Sequence, residues 1–66
     1  MEITVNDSPR LIDAGITLAG LITLLELDGK RLAVEVNEDV VPRSRYSDLV
    51  LDGGDRIEIV QAIGGG

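Results

Sequence analysis

Only one stretch of this chain has the apolar spacing of an α-helix. The apolar residues recur at i, i+3, i+4 and i+7 as Leu18, Leu21, Ile22 and Leu25, so they share one helical face. Thr17 is suited to cap the first turn, because its hydroxyl can accept a hydrogen bond from a free backbone N–H. A single helix with one apolar face has to bury that face against a sheet. The helix therefore predicts a two-layer domain.

The other apolar segments mostly alternate with polar residues at a period of two, which is typical of strands. We predict strands at residues 2–6, 10–13, 32–37, 40–41 and 56–61. Predicted turns lie at Asn6-Asp7-Ser8-Pro9, Glu38-Asp39 and 52–55, and Asp28-Gly29 is predicted to end the helix. In the order β-β-α-β-β-β the first and last strands can be parallel neighbours, because the helix forms part of the connection between them. This predicts the α+β class: a β-grasp, or ubiquitin-like, roll with four to five strands and one helix packed on one face.

Two residues have more than one interpretation. Gly20 lies inside the helical pattern, where it either permits close approach of the helix to the sheet or is simply tolerated. Tyr46 is the only aromatic residue. With Leu49 it is predicted to anchor the connection 43–51 at the end of the core, the alternative being that it stacks on a ligand.

Composition excludes several classes of function. With no Cys and no His, the chain offers no zinc site, Cys nucleophile or His base, so we expect no catalytic residues and no metal site. A net charge of −6 disfavours binding to nucleic acid. The apolar runs are shorter than a membrane span and residues 1–15 lack a signal-peptide pattern, so we expect a cytoplasmic protein. The paired carboxylates, Glu38-Asp39 and Asp52 with Asp55, are interpreted as solvated turn caps.

The last three residues, Gly64, Gly65 and Gly66, cannot pack a core and are costly to order. If Gly66 is the C-terminus, it carries a free carboxylate. Our hypothesis is that the domain spans residues 1–66 and that 63–66 form a flexible tail, whose bare backbone enters a narrow site on a partner. Fully extended, it would reach roughly 13–14 Å. The alternative is a frayed end without function.

A partner that receives this tail also needs a docking face. The sheet face opposite the helix is expected to be exposed and to include Thr4 and Glu58. Val60, Ala62 and Ile63 are predicted to form a small apolar patch there, although isolated exposed apolar residues are also common.

Taken together, several segments resemble the ThiS family, the sulfur carrier proteins of thiamine biosynthesis, over essentially the whole chain. The matching segments are Met1–Asn6, Gly15-Ile16-Thr17-Leu18, Ala33-Val34-Glu35-Val36-Asn37, Val41-Pro42-Arg43, Asp55-Arg56-Ile57-Glu58-Ile59-Val60 and the terminal glycines. The chain departs from the family pattern at Gly53-Gly54, where one Gly is expected, and in having three terminal glycines where two suffice.

The resemblance implies a carrier that is not itself an enzyme and binds no cofactor. A ThiF-like adenylyltransferase, the activating enzyme, would use ATP and Mg²⁺ to adenylate Gly66. A sulfur donor such as a cysteine desulfurase would then convert the acyl-adenylate to a thiocarboxylate, and a ThiG-like thiazole synthase would accept the sulfur. This chemistry suits a carboxylate, which is ionised at neutral pH and needs a leaving group before it can be attacked.

Three alternatives remain. The small subunit of molybdopterin synthase has the same tail chemistry and a different acceptor, although the Val-Pro-Arg segment and the short length favour the thiazole function. A ubiquitin-like modifier would instead be conjugated to other proteins through Gly66. The last alternative is an interaction module whose tail has no role.

Overall fold

The computed structural model describes residues 1–62, which form a five-stranded mixed sheet with one α-helix against it. In chain order the elements are β1 (Glu2–Val5), β2 (Ser8–Leu11), α1 (Leu18–Leu24), β3 (Leu32–Val36), β4 (Asp39–Val41), a 3₁₀ turn (Arg43–Arg45) and β5 (Arg56–Gln61). The strand order across the sheet is β2-β1-β5-β3-β4. β1 and β5 are parallel and the other neighbours are antiparallel. The predicted β-grasp topology, with the first and last strands adjacent at the centre, is therefore confirmed.

The core lies between α1 and the inner face of the sheet. The helix contributes Leu18, Leu21 and Ile22, all buried as predicted. The sheet contributes five buried residues to the core: Ile3, Val34, Val36, Ile57 and Ile59. The connections contribute Ile12 and Leu51. The buried residues of the described chain are all hydrophobic, so burial of aliphatic side chains is the main favourable term in its stability.

Residues outside the helix satisfy its N-terminal backbone groups. Thr17 is the N-cap, as predicted, and its hydroxyl accepts from the N–H of Gly20 at 3.1 Å. The N–H groups of Leu18 and Ala19 donate to the carbonyls of Leu49 and Tyr46, each at 2.8 Å. The connection before β5 thus takes up two of the donors that a helix start leaves free.

Tyr46 and Leu49 are half-buried against the core, as predicted for anchors of that connection. Leu51 is only 1% exposed, and the sequence analysis did not identify it as a core residue. Gly20 does not face the sheet: a Cβ there would lie 3.0 Å from Cγ1 of Ile16. Close helix–sheet approach therefore does not explain this glycine.

The predicted end of the helix, at Asp28-Gly29, is wrong. The helix ends at Leu24, and Glu26 follows with φ of 60°. The N–H of Glu26 donates to Thr23 O and that of Leu27 to Ile22 O, both at 3.0 Å, which together form a Schellman motif. A glutamate occupies the left-handed position that glycine usually takes, and this is why the glycine signal pointed to the wrong residue.

Two turns are shorter or earlier than predicted. Asn6 and Asp7 have positive φ values of 50° and 68° and form a two-residue turn, so β2 begins at Ser8 and includes Pro9. Pro9 is accommodated because β2 is an edge strand. Asn37 and Glu38, with φ of 52° and 72°, turn the chain from β3 into β4 one residue before the predicted position.

No helix among residues 1–62 is long and apolar enough to cross a membrane.

Candidate functional site

The described chain ends at Ala62, directly after the central strand β5. β5 pairs with β3 up to Gln61, which lies opposite Leu32. The N–H of Ala62 then donates to Arg31 O at 2.8 Å. The sheet therefore holds the backbone in place up to the base of the predicted tail. Ile63, Gly64, Gly65 and Gly66 lie outside the described residues, so their roles remain predictions.

The side chain of Asn6 also holds β5. Its Nδ2 donates to Ile59 O at 3.1 Å, and its Oδ1 accepts from Ile59 N–H at 2.8 Å. This pair of bonds reproduces what the backbone of a further β1 residue would make with β5. From the sequence, Asn6 is predicted only as the last residue of a strand and the first residue of a turn. The available signal was an Asn at the last position of a predicted strand, because a short amide side chain can substitute for backbone.

A second asparagine performs the same task at the start of β5. Asn37 Oδ1 accepts from the N–H of Arg56 at 2.9 Å, and its Nδ2 donates to Asp55 Oδ1 at 3.0 Å. The Arg56 guanidinium lies 3.4 Å from the carboxylate of Glu38, and both side chains are largely exposed. Asparagine side chains thus fix the strand that leads to the tail at its first residue, Arg56, and at Ile59.

Of the paired carboxylates, Glu38, Asp52 and Asp55 lie in or beside turns as predicted, whereas Asp39 is the first residue of β4 because the turn before it is made by Asn37 and Glu38. Asp55 Oδ2 accepts from the N–H of Asp52 at 2.7 Å, and Glu38 faces Arg56. Within residues 1–62 no three acidic side chains are grouped so that they could hold a metal ion. The Asp55 carboxylate therefore serves as a local hydrogen-bond acceptor, and the Glu38 carboxylate as an ion-pair partner.

The outer face of the sheet, opposite the helix, carries two of the predicted docking residues, Val60 and Ala62. Val60 is 64% exposed and lies directly opposite Ala33 on β3. Ala62 is exposed as well, whereas Ile63 lies outside the described residues. Because cross-strand partners share a face, the apolar patch includes Ala33, which the sequence analysis did not name.

Two acidic residues interrupt this outer face. Glu58 of β5 and Glu35 of β3 are direct cross-strand partners and both are exposed. Like charges in this arrangement destabilise a sheet. The face is therefore a mixed surface, with the apolar pair Val60 and Ala33 beside an acidic pair.

Comparison with known proteins gives a consistent assignment. The model of the ThiS family matches residues 1–66. A sulfur carrier protein ThiS from Escherichia coli is 32% identical over 66 residues, which cover all of both chains. The crystal structure of a thiamine biosynthesis protein (ThiS) from Geobacter metallireducens is 28% identical, with a TM-score of 0.85 and full coverage of both chains.

A further relative is much longer than this chain. A thiazole synthase from Magnetococcus marinus is 44% identical over 66 residues, which are all of this chain and 20% of that protein. The chain thus spans about a fifth of the length of the thiazole synthases that it matches. The whole-chain family match and the shared fold agree, and the chain belongs to the ThiS family.

Proposed function

We propose that this protein is a sulfur carrier of thiamine biosynthesis and that its reactive group is the carboxylate of Gly66. The observation that carries the proposal is the match to the ThiS family over the whole chain. It is supported by the bonding of β5, which is held on the β1 side up to Ile59 and on the β3 side up to Ala62, at the base of the tail. A carrier benefits from a fixed tail base, because an enzyme that binds the folded domain then finds the tail in a defined position.

The proposed chemistry has two steps. An ATP-dependent activating enzyme, with Mg²⁺, joins the Gly66 carboxylate to AMP and releases pyrophosphate. A hydrosulfide equivalent from the sulfur donor then attacks the acyl carbon, AMP leaves, and Gly66 carries a thiocarboxylate. No described side chain takes part in these steps; the domain supplies position, and its partners supply catalysis.

We propose thiazole synthase as the acceptor of the sulfur. The supporting observation is that thiazole synthases contain a segment similar to the whole of this chain. A carrier and an acceptor that act in succession gain from being joined, since the join raises their effective concentration. The outer face around Val60, Ala33 and Ala62 is the proposed docking surface for thiazole synthase.

Intact-mass measurement tests the proposal on protein produced to end at Gly66. It is incubated with an activating enzyme, Mg-ATP and sulfide, and we expect one oxygen to be replaced by sulfur on Gly66. A chain truncated after Gly64 should take up no sulfur. Gly65→Val should also fail, because a branched side chain would block a narrow tail site.

Gly53→Ala provides the matched control for glycine substitution. Its added Cβ would lie 3.7 Å from Met1 Cβ, an ordinary contact, so sulfur uptake should be unchanged. Unchanged mass of the wild-type protein would contradict the proposal. Conjugates on lysines of other proteins would indicate the modifier function, and discharge only to a molybdopterin synthase large subunit would indicate the other carrier.

A further inference from the structure

Strand β1 is shorter than its partner β5, and the difference leaves part of β5 without a neighbour. The β1–β5 pairing covers Thr4 with Arg56 and Val5 with Ile57. The Asn6 side chain extends it to Ile59, after which the chain turns away into β2. Gln61, the last residue of β5, lies beyond this point.

The register with β3 shows which way the backbone groups of Gln61 point. In an antiparallel pair, hydrogen-bonded and non-hydrogen-bonded partners alternate. Ala62 is bonded to Arg31, so the next pair, Gln61 with Leu32, is of the non-bonded kind. The N–H and C=O of Gln61 therefore point to the β1 side, where residues 1–62 provide no hydrogen-bond partner for them.

A groove lies beside this open edge. It is lined by Val5, Asn6, Leu25, Leu27, Ile59 and Gln61, and has a volume of about 340 Å³. Four of these six residues are aliphatic, and three of the four, at positions 5, 25 and 27, are only half-buried. By strand alternation Val5, Ile59 and Gln61 face the helix side, so the groove continues the inner face of the sheet past the end of β1.

We propose that the activating enzyme docks an extended backbone segment here, as a short added strand beside Gln61, with one apolar side chain in the groove. This inference rests on the proposed function. In strand addition, the backbone of an added segment forms hydrogen bonds with unpaired backbone groups at a strand edge. Every second side chain of that segment can then bind in a pocket beside the edge, which gives specificity. A segment bonded to Gln61 would hold the chain at the base of the tail, three residues before Gly64.

Amide hydrogen exchange on wild-type protein tests the pairing directly. In complex with the activating enzyme without ATP, the Gln61 amide should become protected from exchange by at least about tenfold. The amide of Leu11, on the exposed edge strand β2, should not change. An unprotected Gln61 amide in a formed complex would overturn the inference, whatever the sulfur uptake.

Two pairs of variants test the backbone bond and the groove separately. Gln61→Pro removes the N–H, and Gln61→Ala keeps it; the first should weaken binding about tenfold and the second should not. Leu27→Lys places a charge at the groove, whereas Leu24→Lys changes a 52% exposed residue at the end of α1, outside the groove. We expect weaker binding only for Leu27→Lys.

The thermal midpoint of each variant shows whether it is folded. The exchange experiment uses the wild-type protein, so it remains valid even if a variant does not fold. If all four variants bind like the wild type, the inference is wrong. If the wild type takes up sulfur while Gln61 stays exposed, the docking inference fails and the carrier function stands. If neither binding nor sulfur uptake occurs, both proposals are wrong.

Discussion

At the scale of single residues, Asn6 combines two roles that can be separated by mutation. Its side chain makes both hydrogen bonds to Ile59, and its backbone has φ of 50°, a region costly for residues with a Cβ. Asn6→Ala should destabilise the protein by about 2–3 kcal/mol, since it leaves two backbone groups of β5 unpaired and keeps a strained φ. Asn6→Gly loses the same two hydrogen bonds but removes the backbone strain of a positive φ. Its loss of stability should therefore be about 1 kcal/mol smaller than that of Asn6→Ala. Urea unfolding measures both values.

Asp7 is the matched control for this pair of variants. It has φ of 68° in the same turn, and its side chain makes no hydrogen bond within the described chain. Asp7→Gly should therefore leave stability unchanged or raise it slightly. Equal losses for Asn6→Ala and Asn6→Gly would mean that backbone strain at this position is unimportant.

At the scale of elements, the end of α1 contains backbone strain at Glu26 that a single substitution should remove. Glu26 occupies the left-handed position of a Schellman motif, with φ of 60°. Removing the side chain from a residue in this left-handed conformation should stabilise the folded state by about 1–2 kcal/mol. Part of this gain is lost because glycine has greater chain entropy in the unfolded state. Glu26→Gly should therefore stabilise the protein by about 1 kcal/mol.

Gly29 provides the opposite test. It has φ of 76° and open space around it, so Gly29→Ala should destabilise through backbone strain alone. Both midpoints come from the same thermal denaturation series. A destabilised Glu26→Gly variant would show that the Glu26 side chain contributes more than its backbone costs.

The same helix end shows what sequence patterns can establish. Apolar periodicity predicted α1, its Thr17 cap and its buried face, because each follows from spacing or from one residue type. The predicted helix end was wrong because a glutamate, Glu26, occupies the left-handed position that glycine usually takes. Leu27, which follows it, packs against the core, and this contact is not visible in the local pattern. Asn6 was misjudged for a related reason: bonds between residues 6 and 59 depend on tertiary structure, which local patterns do not contain.

The outer face of the sheet was predictable in part. Alternation along β5 correctly placed Val60 on an exposed face. The neighbours Ala33 and Glu35 follow only from the register between β3 and β5, and this register needs the folded sheet. The groove beside Gln61 was not predictable, since it depends on where β1 stops relative to β5.

At the scale of the whole molecule, one small aliphatic core supports the tail. A domain of this size has a stability of only about 3–10 kcal/mol. Its contacts are mostly between distant parts of the chain, since β1 and β5 pair across most of its length. Loss of one core side chain should therefore unfold a measurable fraction of molecules and release the base of the tail with them.

Leu21 and Leu24 allow this dependence to be tested within one helix. Leu21 is 0% exposed and Leu24 is 52% exposed, so Leu21→Ala should cost about 2–5 kcal/mol and Leu24→Ala much less. Sulfur uptake is then measured at a temperature between the two midpoints. Uptake by Leu21→Ala should fall with its folded fraction, because the activating enzyme is proposed to locate the tail through β5 and the groove beside it. If the unfolded variant is charged as fast as the wild type, the enzyme recognises the tail alone, and the folded domain has no part in its presentation.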